Sequence, residues 1–334
     1  MTAPGATLCA SKVSSASRDV GIALLGYGTV GSAVHRLLEE RSADISSRFG
    51  IQFRVLRALV RDPLKERRHP APRGMLTKAY EDLRDPDISV VVEAMGGLEP
   101  TRAHLLAAIG AGRHVVTANK QVVAWHGEEL TRAAGRANVM IRYEAAVCAA
   151  VPILRVLRTG IPPLGTHTIT GVVNGTTNYI LGEMERGVTF EEALADAQAL
   201  GYAESEPEDD LSGSDAAAKM VILGRAAFGL ELTMADVVWS GIDHVRPEQV
   251  LAAKEAGHAL RLVGTARRTG DGVEIVVEPV SLPGDHPLAA LRRATNGVVL
   301  EGPDFGRLTL IGPGAGGRAT ASAVLTDLLE VVGA

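Results

Sequence analysis

A glycine-rich turn close to the amino terminus limits the folds open to this 334-residue chain more than any other feature. The apolar run of residues 19–25 ends in Gly-Tyr-Gly-Thr-Val-Gly at residues 26–31, and Val34, Leu37 and Leu38 follow at helical spacing. In a strand–turn–helix unit such glycines permit a tight turn and let a pyrophosphate approach the amino terminus of the helix. A turn made only for packing can contain the same glycines, so the motif predicts a dinucleotide site only where further strand–helix units follow.

Further strand–helix units do follow. Short apolar runs at residues 53–60, 89–93, 114–117 and 139–143 predict four more buried strands, and the Ala-rich segment 101–110 predicts a helix between two of them. Near-continuous apolar strands that alternate with helices are typical of a parallel sheet covered on both faces. We therefore predict an α/β fold in which residues 19–146 form a doubly wound, Rossmann-type NAD(P)-binding domain.

The residues after the second predicted strand bear on the choice of cofactor. An acidic residue there binds the ribose hydroxyls of NAD, whereas an arginine accommodates the 2′-phosphate of NADP. Arg61 and Lys65 favour NADP, and Asp62 between them leaves NAD open. The alternative for Arg61 is an ordinary solvated turn residue.

The second half of the chain has a different pattern, with strands in pairs around helices. Four of these strands are predicted at residues 260–267, 273–280, 298–301 and 308–311, the first two as a hairpin. We predict an α+β catalytic and dimerisation domain with an open sheet over residues 147–311, and a C-terminal segment, residues 312–334, that returns to the nucleotide-binding domain. An open sheet needs its edge or face covered, which favours a homodimer, with a tetramer as the alternative.

Composition excludes several classes of protein. A net charge of −5 argues against a nucleic-acid partner, because binding to phosphates requires a basic face. No apolar run reaches the roughly 18 residues of a membrane span, and residues 1–18 lack the apolar core of a signal peptide, which predicts a disordered tail. Two cysteines, Cys9 and Cys148, cannot form a disulfide framework and indicate a reducing compartment. The sequence thus predicts a cytoplasmic protein that binds neither nucleic acid nor membrane.

A dense acidic segment precedes one helix of the second domain. Residues 204–215 contain six carboxylates, and Lys219 follows Asp215 by one helical turn. Ser212 or Ser214 is predicted to cap this helix. Asp215 and Lys219 then share one face, and apolar neighbours should lower the pKa of the lysine. Charge runs of this kind are often merely solvated; the alternative is a clamp for a cationic amine, with Lys219 as a proton carrier.

Five motifs in order give residues 20–331 a resemblance to the homoserine dehydrogenase family. They are Gly-Tyr-Gly-Thr-Val-Gly at 26–31, Thr-Ala-Asn-Lys at 117–120, Asn-Gly-Thr-Thr-Asn-Tyr at 174–179, the segment 201–219 with Gly-Tyr-Ala-Glu and Gly-Ser-Asp-Ala-Ala-Ala-Lys, and Gly-Pro-Gly-Ala-Gly-Gly at 312–317. The resemblance implies NAD(P)-dependent, reversible reduction of L-aspartate 4-semialdehyde to L-homoserine in threonine, methionine and isoleucine biosynthesis. It implies a short form without a C-terminal regulatory domain, because the sequence ends at Ala334.

The same resemblance implies roles for individual residues. Lys219 is the implied acid–base residue and Lys120 is placed where nicotinamide and substrate meet, although the sequence leaves open which lysine carries the proton. The implied substrate contacts are Glu204 and Asp215 for the ammonium group, Asp210 holding a lysine or that amine, and Thr176 and Gly175. The implied cofactor contacts are Gly26, Tyr27, Gly28, Thr29, Val30, Gly31, Arg61, Lys65, Gly96, Lys120, Gly201 and Gly316.

The resemblance also implies a monovalent cation, Na⁺ or K⁺, held by backbone oxygens around Glu144, Val147, Ala149 and Val151. The family has two or three glycines in this run, where this chain has Cys-Ala-Ala at 148–150. An alanine restricts φ to negative values, so if the family's turn needs φ > 0 at Ala150, the cation site or the nicotinamide end of the cofactor site is altered. Cys148 is expected to be a small buried packing residue rather than a nucleophile.

Two other functions remain compatible with the motifs. One is another NAD(P)-linked amino-acid dehydrogenase, such as an enzyme acting on aspartate; the other is a non-catalytic NADP-binding sensor. A second substrate carboxylate would require an additional arginine, and residues 200–219 contain none. The replaced glycines at 148–150 are the one feature that favours a sensor.

Overall fold

A computed structural model describes residues 17–161, 165–270 and 272–333. The predicted disordered tail, residues 1–18, lies outside the described residues except for its last two, and Cys9 lies outside them as well. Within the described ranges, no helix combines the length and the apolar character needed to cross a bilayer.

The first sheet has six parallel strands in the order β3-β2-β1-β4-β5-β6. Its central strands are buried: Val90, Val91 and Val92 have no exposed surface, as expected for strands covered on both faces. The strands predicted from the sequence are confirmed, and the last is shorter than the predicted 139–143. In chain order the strands are β1 (Arg18–Leu25), β2 (Ile51–Leu59), β3 (Leu76–Thr77), β4 (Ile88–Glu93), β5 (His114–Thr117) and β6 (Ile141–Arg142).

The strand order of this sheet reverses at β1, which has β2 on one side and β4 on the other. In open α/β sheets, ligands bind in the crevice at this switch point. The glycine turn occupies the crevice because it directly follows β1. The helices packed on the sheet are α1 (Thr29–Glu40), α2 (Ser42–Phe49), α3 (Thr101–Gly110) and α4 (Lys120–Arg136).

The second sheet is mixed, in the order β12-β11-β7-β9-β10-β8. The predicted hairpin is confirmed as β9 and β10, which pair antiparallel along their full length. The strands are β7 (Thr168–Val172), β8 (Val237–Trp239), β9 (His258–Thr269), β10 (Gly272–Pro283), β11 (Thr295–Gly302) and β12 (Gly306–Pro313). The helices of this half are α5 (Ile153–Arg155), α6 (Gly175–Met184), α7 (Phe190–Ala199), α8 (Glu208–Leu211), α9 (Ser214–Phe228) and α10 (Pro247–Glu255).

The last helix, α11 (Gly317–Val331), packs against α1 of the first half. Ala321, Val324 and Leu328 of α11 are fully buried and join one apolar core with Val34 and Leu38 of α1. The chain therefore leaves the second sheet through residues 314–316 and comes back to the glycine turn.

The turn that connects the two halves has unusual backbone conformations. Cys148 and Ala149 have φ angles of 54° and 41°, in the left-handed region that favours glycine. Ala150 itself does not have a positive φ, so the turn requires that conformation of the two residues before it and not of Ala150. A non-glycine residue in this region costs about 1–2 kcal/mol, which the burial of both side chains offsets.

The glycines of the turn after β1 differ in the space around them. A Cβ on Gly31 would lie 2.1 Å from the carbonyl oxygen of Gly26, whereas a Cβ on Gly28 would meet no heavy atom within 4 Å. Gly31 thus allows the close packing of α1 against the turn, and Gly28 keeps the face toward the crevice open.

We expect Gly31→Ala to lower the free energy of unfolding by about 2 kcal/mol, because the methyl group forces the turn and α1 apart. Urea denaturation followed by circular dichroism measures the change. Gly28→Ala is the matched control, since open space surrounds that position and stability should stay within about 0.5 kcal/mol. Equal stability of the two variants would contradict the steric explanation.

Candidate active site

A cleft with a cavity of about 680 Å³ lies between the glycine turn and the acidic segment. Residues from both halves of the chain line it: the start of α1, the amino termini of α4 and α6, the acidic segment, α9 and the turn before α11. It brings together these predicted site residues: Thr29, Val30, Lys120, Ala149, Gly175, Thr176, Gly201, Glu204, Asp210, Asp215, Lys219 and Gly316. Four others line neither this cavity nor its neighbour described below: Gly31, Glu144, Val147 and Val151.

One carboxylate in the cleft bridges two lysines. Asp215 Oδ2 lies 2.7 Å from Lys219 Nζ, and Asp215 Oδ1 lies 3.0 Å from Lys120 Nζ. Asp215 and Lys219 are one turn apart on α9, as predicted, whereas Lys120 begins α4 in the first half. The Asp215 side chain is 4% exposed, that of Lys219 11% and that of Lys120 33%. The two lysines therefore meet in one crevice, with Lys219 at the deeper end.

The charges of this bridge stabilise one another. Burial opposes ionisation of Asp215, but the ammonium groups of Lys219 and Lys120 outweigh burial and hold its pKa well below the usual range. In turn, the charge of Asp215 raises the pKa of Lys120, against a smaller effect of burial. Asp215 is therefore a carboxylate and Lys120 an ammonium group at neutral pH.

A second carboxylate, Asp210, lies beside the bridge and is held by neutral donors. Asn174 Nδ2 donates to Asp210 Oδ1 at 2.6 Å, and Thr176 Oγ1 donates to Asp210 Oδ2 at 2.8 Å. Burial and the nearby charge of Asp215 raise the pKa of Asp210. Within the described residues its side-chain partners are these two, whereas the sequence offered a lysine or the substrate amine.

The start of α9 differs from the prediction. The residue at the cap position is not a serine but Gly213, in a left-handed conformation with φ +83°. Ser212 Oγ does accept from the backbone amide of Ser214, the first residue of α9, at 3.4 Å. Ser214 Oγ instead lies 3.2 Å from a side-chain oxygen of Asp209. A Cβ on Gly213 would come within 3.2 Å of the carbonyl oxygen of Ser240, so packing against the segment after β8 fixes this turn.

The acidic segment is only partly the solvated loop that charge runs usually form. Glu204, Glu206 and Glu208 are exposed. Asp209, also exposed, accepts a hydrogen bond of 3.0 Å from Gln121 Nε2, which comes from α4 across the cleft. The segment thus supplies both an open acidic rim and the buried charges of the bridge.

A second cavity of about 950 Å³ lies on the other side of the glycine turn. Part of its wall is glycine backbone: a Cβ on Gly28, Gly96 or Gly97 would meet no heavy atom within 4 Å, and Gly26, Gly96 and Gly97 have positive φ. A dinucleotide fits against such a wall, because its pyrophosphate needs close approach to the backbone and to the start of α1. The predicted cofactor residues that line it are Gly26, Tyr27, Gly28, Arg61, Lys65 and Gly96.

Two further basic residues line the second cavity and were missed. Arg67 lies in the basic run that begins at Lys65, a signal that could have been used. Its guanidinium donates to the carbonyl oxygens of Asp62 and Lys65, both at 2.7 Å, and so shapes this loop. Lys78 follows β3 and has no such signal, since nothing in the sequence places it near Arg61.

A buried polar network that sequence reasoning also missed holds the loops around Lys120. Glu93 is fully buried and accepts from the backbone amide groups of Met95 at 2.7 Å and Gly96 at 3.1 Å. Asn119 caps α4 by accepting from the amide of Val122 and donates to the carbonyl oxygen of Gly97 at 2.7 Å. The network fixes the first residue of α4 relative to the glycine loop after β4.

The segment implied as a cation site is closely packed. The Glu144 carboxylate accepts from the backbone amides of Leu154 and Arg155 at 2.8 and 2.7 Å, which holds the start of α5. Its own amide donates to Asp327 Oδ2 of α11 at 2.8 Å. Burial raises the pKa of Cys148 to about 11, so its thiol is protonated. Within the described ranges no three acidic, His or Cys side chains gather as metal ligands.

Comparison with known proteins covers both halves of the chain. A family model described as "Homoserine dehydrogenase" matches residues 152–329, and one described as "Homoserine dehydrogenase, NAD binding domain" matches residues 26–144. The homoserine dehydrogenase of Bacillus subtilis is 38% identical over 317 residues, covering 94% of this chain and 73% of the relative. That of Mycobacterium tuberculosis is 42% identical over 320 residues, covering 93% and 72%.

Solved structures agree with these relatives. A homoserine dehydrogenase from Thiobacillus denitrificans has a TM-score of 0.89 at 39% identity, covering 94% of this chain and 73% of that one. A hyperthermophilic archaeal homoserine dehydrogenase in complex with NADPH has a TM-score of 0.78 at 28% identity, covering 94% and 98%. Since a family model matches more than half of the chain and relatives above 30% identity extend over nearly all of it, the chain belongs to the homoserine dehydrogenase family of NAD(P)-dependent oxidoreductases.

Proposed function

We propose that the cleft between the glycine turn and the acidic segment interconverts L-aspartate 4-semialdehyde and L-homoserine, the step that leads toward threonine, methionine and isoleucine. The observation that carries the proposal is the bridge in which Asp215 joins Lys120 and Lys219 at 3.0 and 2.7 Å. A reaction that makes or consumes an alkoxide needs a cation to stabilise the oxygen and a group to move its proton. The bridge supplies two ammonium groups at one place.

Lys219 is the proposed acid–base residue and Lys120 the proposed electrostatic one. When bound, the nicotinamide supplies or accepts the hydride. Lys219 is the deeper of the two lysines, and Asp215 together with the carbonyl oxygen of Val173 orients its Nζ. Lys120 stays cationic at neutral pH because of Asp215, which suits it to stabilise negative charge on the substrate oxygen.

The acidic segment is the proposed site for the substrate's ammonium group. Asp210 and Glu204 both line the cleft, and neither is paired with a lysine or arginine in the part of the chain that is described. The substrate's carboxylate is assigned to the amino terminus of α6 at Gly175 and Thr176, where free backbone amides favour an anion. Opposite ends of a short amino acid are then bound on one wall of the cleft.

The finer details of cofactor and assembly are also proposals. Arg61 and Lys65 support NADP over NAD, because both line the cavity beside the glycine turn. We assign the nucleotide-binding domain to residues 19–146, the catalytic and dimer-forming domain to 147–311, and the returning segment to 312–334, which the packing of α11 on α1 supports. A homodimer through the second sheet, a monovalent cation near Glu144 and Ala149, and a cytoplasmic location complete the proposal.

Spectrophotometric assays test the function directly. We expect NADPH oxidation with L-aspartate 4-semialdehyde and NADP⁺ reduction with L-homoserine. Turnover with L-aspartate in place of homoserine would favour another amino-acid dehydrogenase. Tight NADPH binding without any turnover would favour a sensor and would reject the proposal.

We expect Lys219→Met to lower kcat by about 10²–10⁴-fold, the usual contribution of a positioned acid–base group. Methionine keeps the length and apolar stem of lysine, so the packing of α9 should persist. Lys254→Met is the matched control, because Lys254 is exposed on α10 and, among the described residues, its side chain donates to the carbonyl oxygen of Glu185 alone. A near-normal kcat for Lys219→Met removes this lysine from the mechanism.

We expect Arg61→Ser to raise the KM for NADPH by about tenfold and to leave the KM for NADH unchanged, because only NADPH carries the 2′-phosphate. Steady-state kinetics with both cofactors measures the difference. Arg136→Ser, at the exposed end of α4, controls for the loss of one positive charge. Equal changes in the KM for NADH and for NADPH would show that Arg61 does not bind the 2′-phosphate.

A further inference from the structure

We propose that Asn174 is a positioning residue for the reaction: its side-chain amide fixes the carboxylates of Asp210 and Asp215, and through Asp215 it holds Lys219 in place for proton transfer. The inference rests on the proposed function and deepens it. Asn174 is assigned no direct contact with substrate or cofactor; it acts through its neighbours.

The amide of Asn174 has a single orientation. The side chain is buried, with 3% exposed. Its Oδ1 accepts from the backbone amide of Thr177 at 2.8 Å and so caps α6. The nitrogen then faces the acidic segment, donating to Asp210 Oδ1 at 2.6 Å and to Asp215 Oδ2 at 2.8 Å. Both hydrogens and the oxygen are used, so a rotated amide would lose all three bonds.

An amide suits this position because two carboxylates meet there. Asp210 and Asp215 repel each other, and this repulsion contributes to the raised pKa of Asp210. Asn174 donates one hydrogen bond to each carboxylate and adds no charge, so it eases the repulsion without competing with the lysines. An aspartate in its place would add a third negative charge, and a lysine would compete for Asp215.

Asn174 is tied to Lys219 by two routes. Asp215 Oδ2 accepts from both Asn174 Nδ2 and Lys219 Nζ. The carbonyl oxygen of Val173, the residue before Asn174, accepts from Lys219 Nζ at 2.7 Å. The two described acceptors of Lys219 are thus both set by Asn174 or by its chain neighbour. Movement of this one residue therefore moves the lysine.

The test is Asn174→Ser, which keeps a side-chain oxygen for the cap of α6 but cannot reach both carboxylates. We expect kcat to fall about 10- to 100-fold, the usual effect of a misplacement near 1 Å. The KM for NADPH should stay within about twofold of its original value, because the cofactor cavity does not include this residue.

A pH profile distinguishes positioning from a structural role. Without the amide donors, the charge of Asp215 is less compensated, and it is this charge that raises the pKa of Lys120. The reduction needs the ammonium form, so the basic limb of its pH profile should move to higher pH by at least about half a unit. The titratable groups close enough to feel the charge of Lys219 are Asp215 of α9, Asp210 of α8 and Cys148 of the strained turn. Lys120 of α4 and Glu204 of the rim line the same cleft.

Asn178→Ser is the matched control, since Asn178 is also buried, on α6, and donates to the carbonyl oxygens of Arg293 and Thr295 instead of to the carboxylates of Asp210 and Asp215. It should lose stability without moving the pH profile. Asn174→Asp, which keeps the shape and the cap, should move the basic limb further than Asn174→Ser.

An unmoved profile in both Asn174 variants, or a loss of folding in both by circular dichroism, would overturn the inference. Failure of the proposed function would be distinguishable, because the unaltered enzyme would then show no turnover with aspartate semialdehyde.

Discussion

The carboxylate of Asp215 is the charge on which the cleft depends. A buried carboxylate without partners is very costly to remove from water, so it would take up a proton or force the site open. Lys219 from its own helix and Lys120 from the other half of the chain supply the compensating charge. Helix α4 lies in the half of the chain that forms the first sheet, and α9 in the half that forms the second. The charge of one carboxylate therefore connects two parts of the molecule that have no common strand. The bridge is complete only when both halves are folded and adjacent.

The acidic segment shows how one charge run can serve two purposes. Its rim, with Glu204, Glu206 and Glu208, is exposed and gives the mouth of the cleft a negative potential that favours an amine. Asp215 turns inward and is neutralised by Lys219 and Lys120, whereas Asp210 accepts from the neutral side chains of Asn174 and Thr176. The rim glutamates and the two inward-facing aspartates differ in solvent exposure and not in chemical type, since all are carboxylates. Of the two interpretations open to the sequence, the solvated loop describes the exposed rim, and the amine clamp stays a prediction for the residues that line the cleft.

Elements with local signals could be predicted from the sequence, and long-range contacts could not. The strands of the first sheet are confirmed because a run such as that of β4 is apolar whichever neighbours it has. The pairing of Asp215 with Lys219 also has a local signal in its spacing of four. By contrast, Gly213 and not a serine occupies the cap position of α9, because packing of Gly213 against the segment after β8 decides the turn. The hydrogen bond from Asn174 to Asp210 joins residues 36 positions apart, and no periodicity in the sequence predicts this contact. The left-handed conformations of Cys148 and Ala149 likewise reflect tertiary packing.

The return of α11 to α1 has a consequence for how the chain is made on the ribosome. The first sheet and its helices are synthesised early. The apolar face of α1 that packs against α11 nevertheless stays exposed until about residue 331 has left the ribosome. The nascent amino-terminal half therefore has an exposed apolar surface throughout the synthesis of the second sheet. Chains with such a surface are prone to associate or to bind chaperones. Cutting the gene between the codons of β6 and β7 would make that transient exposure permanent.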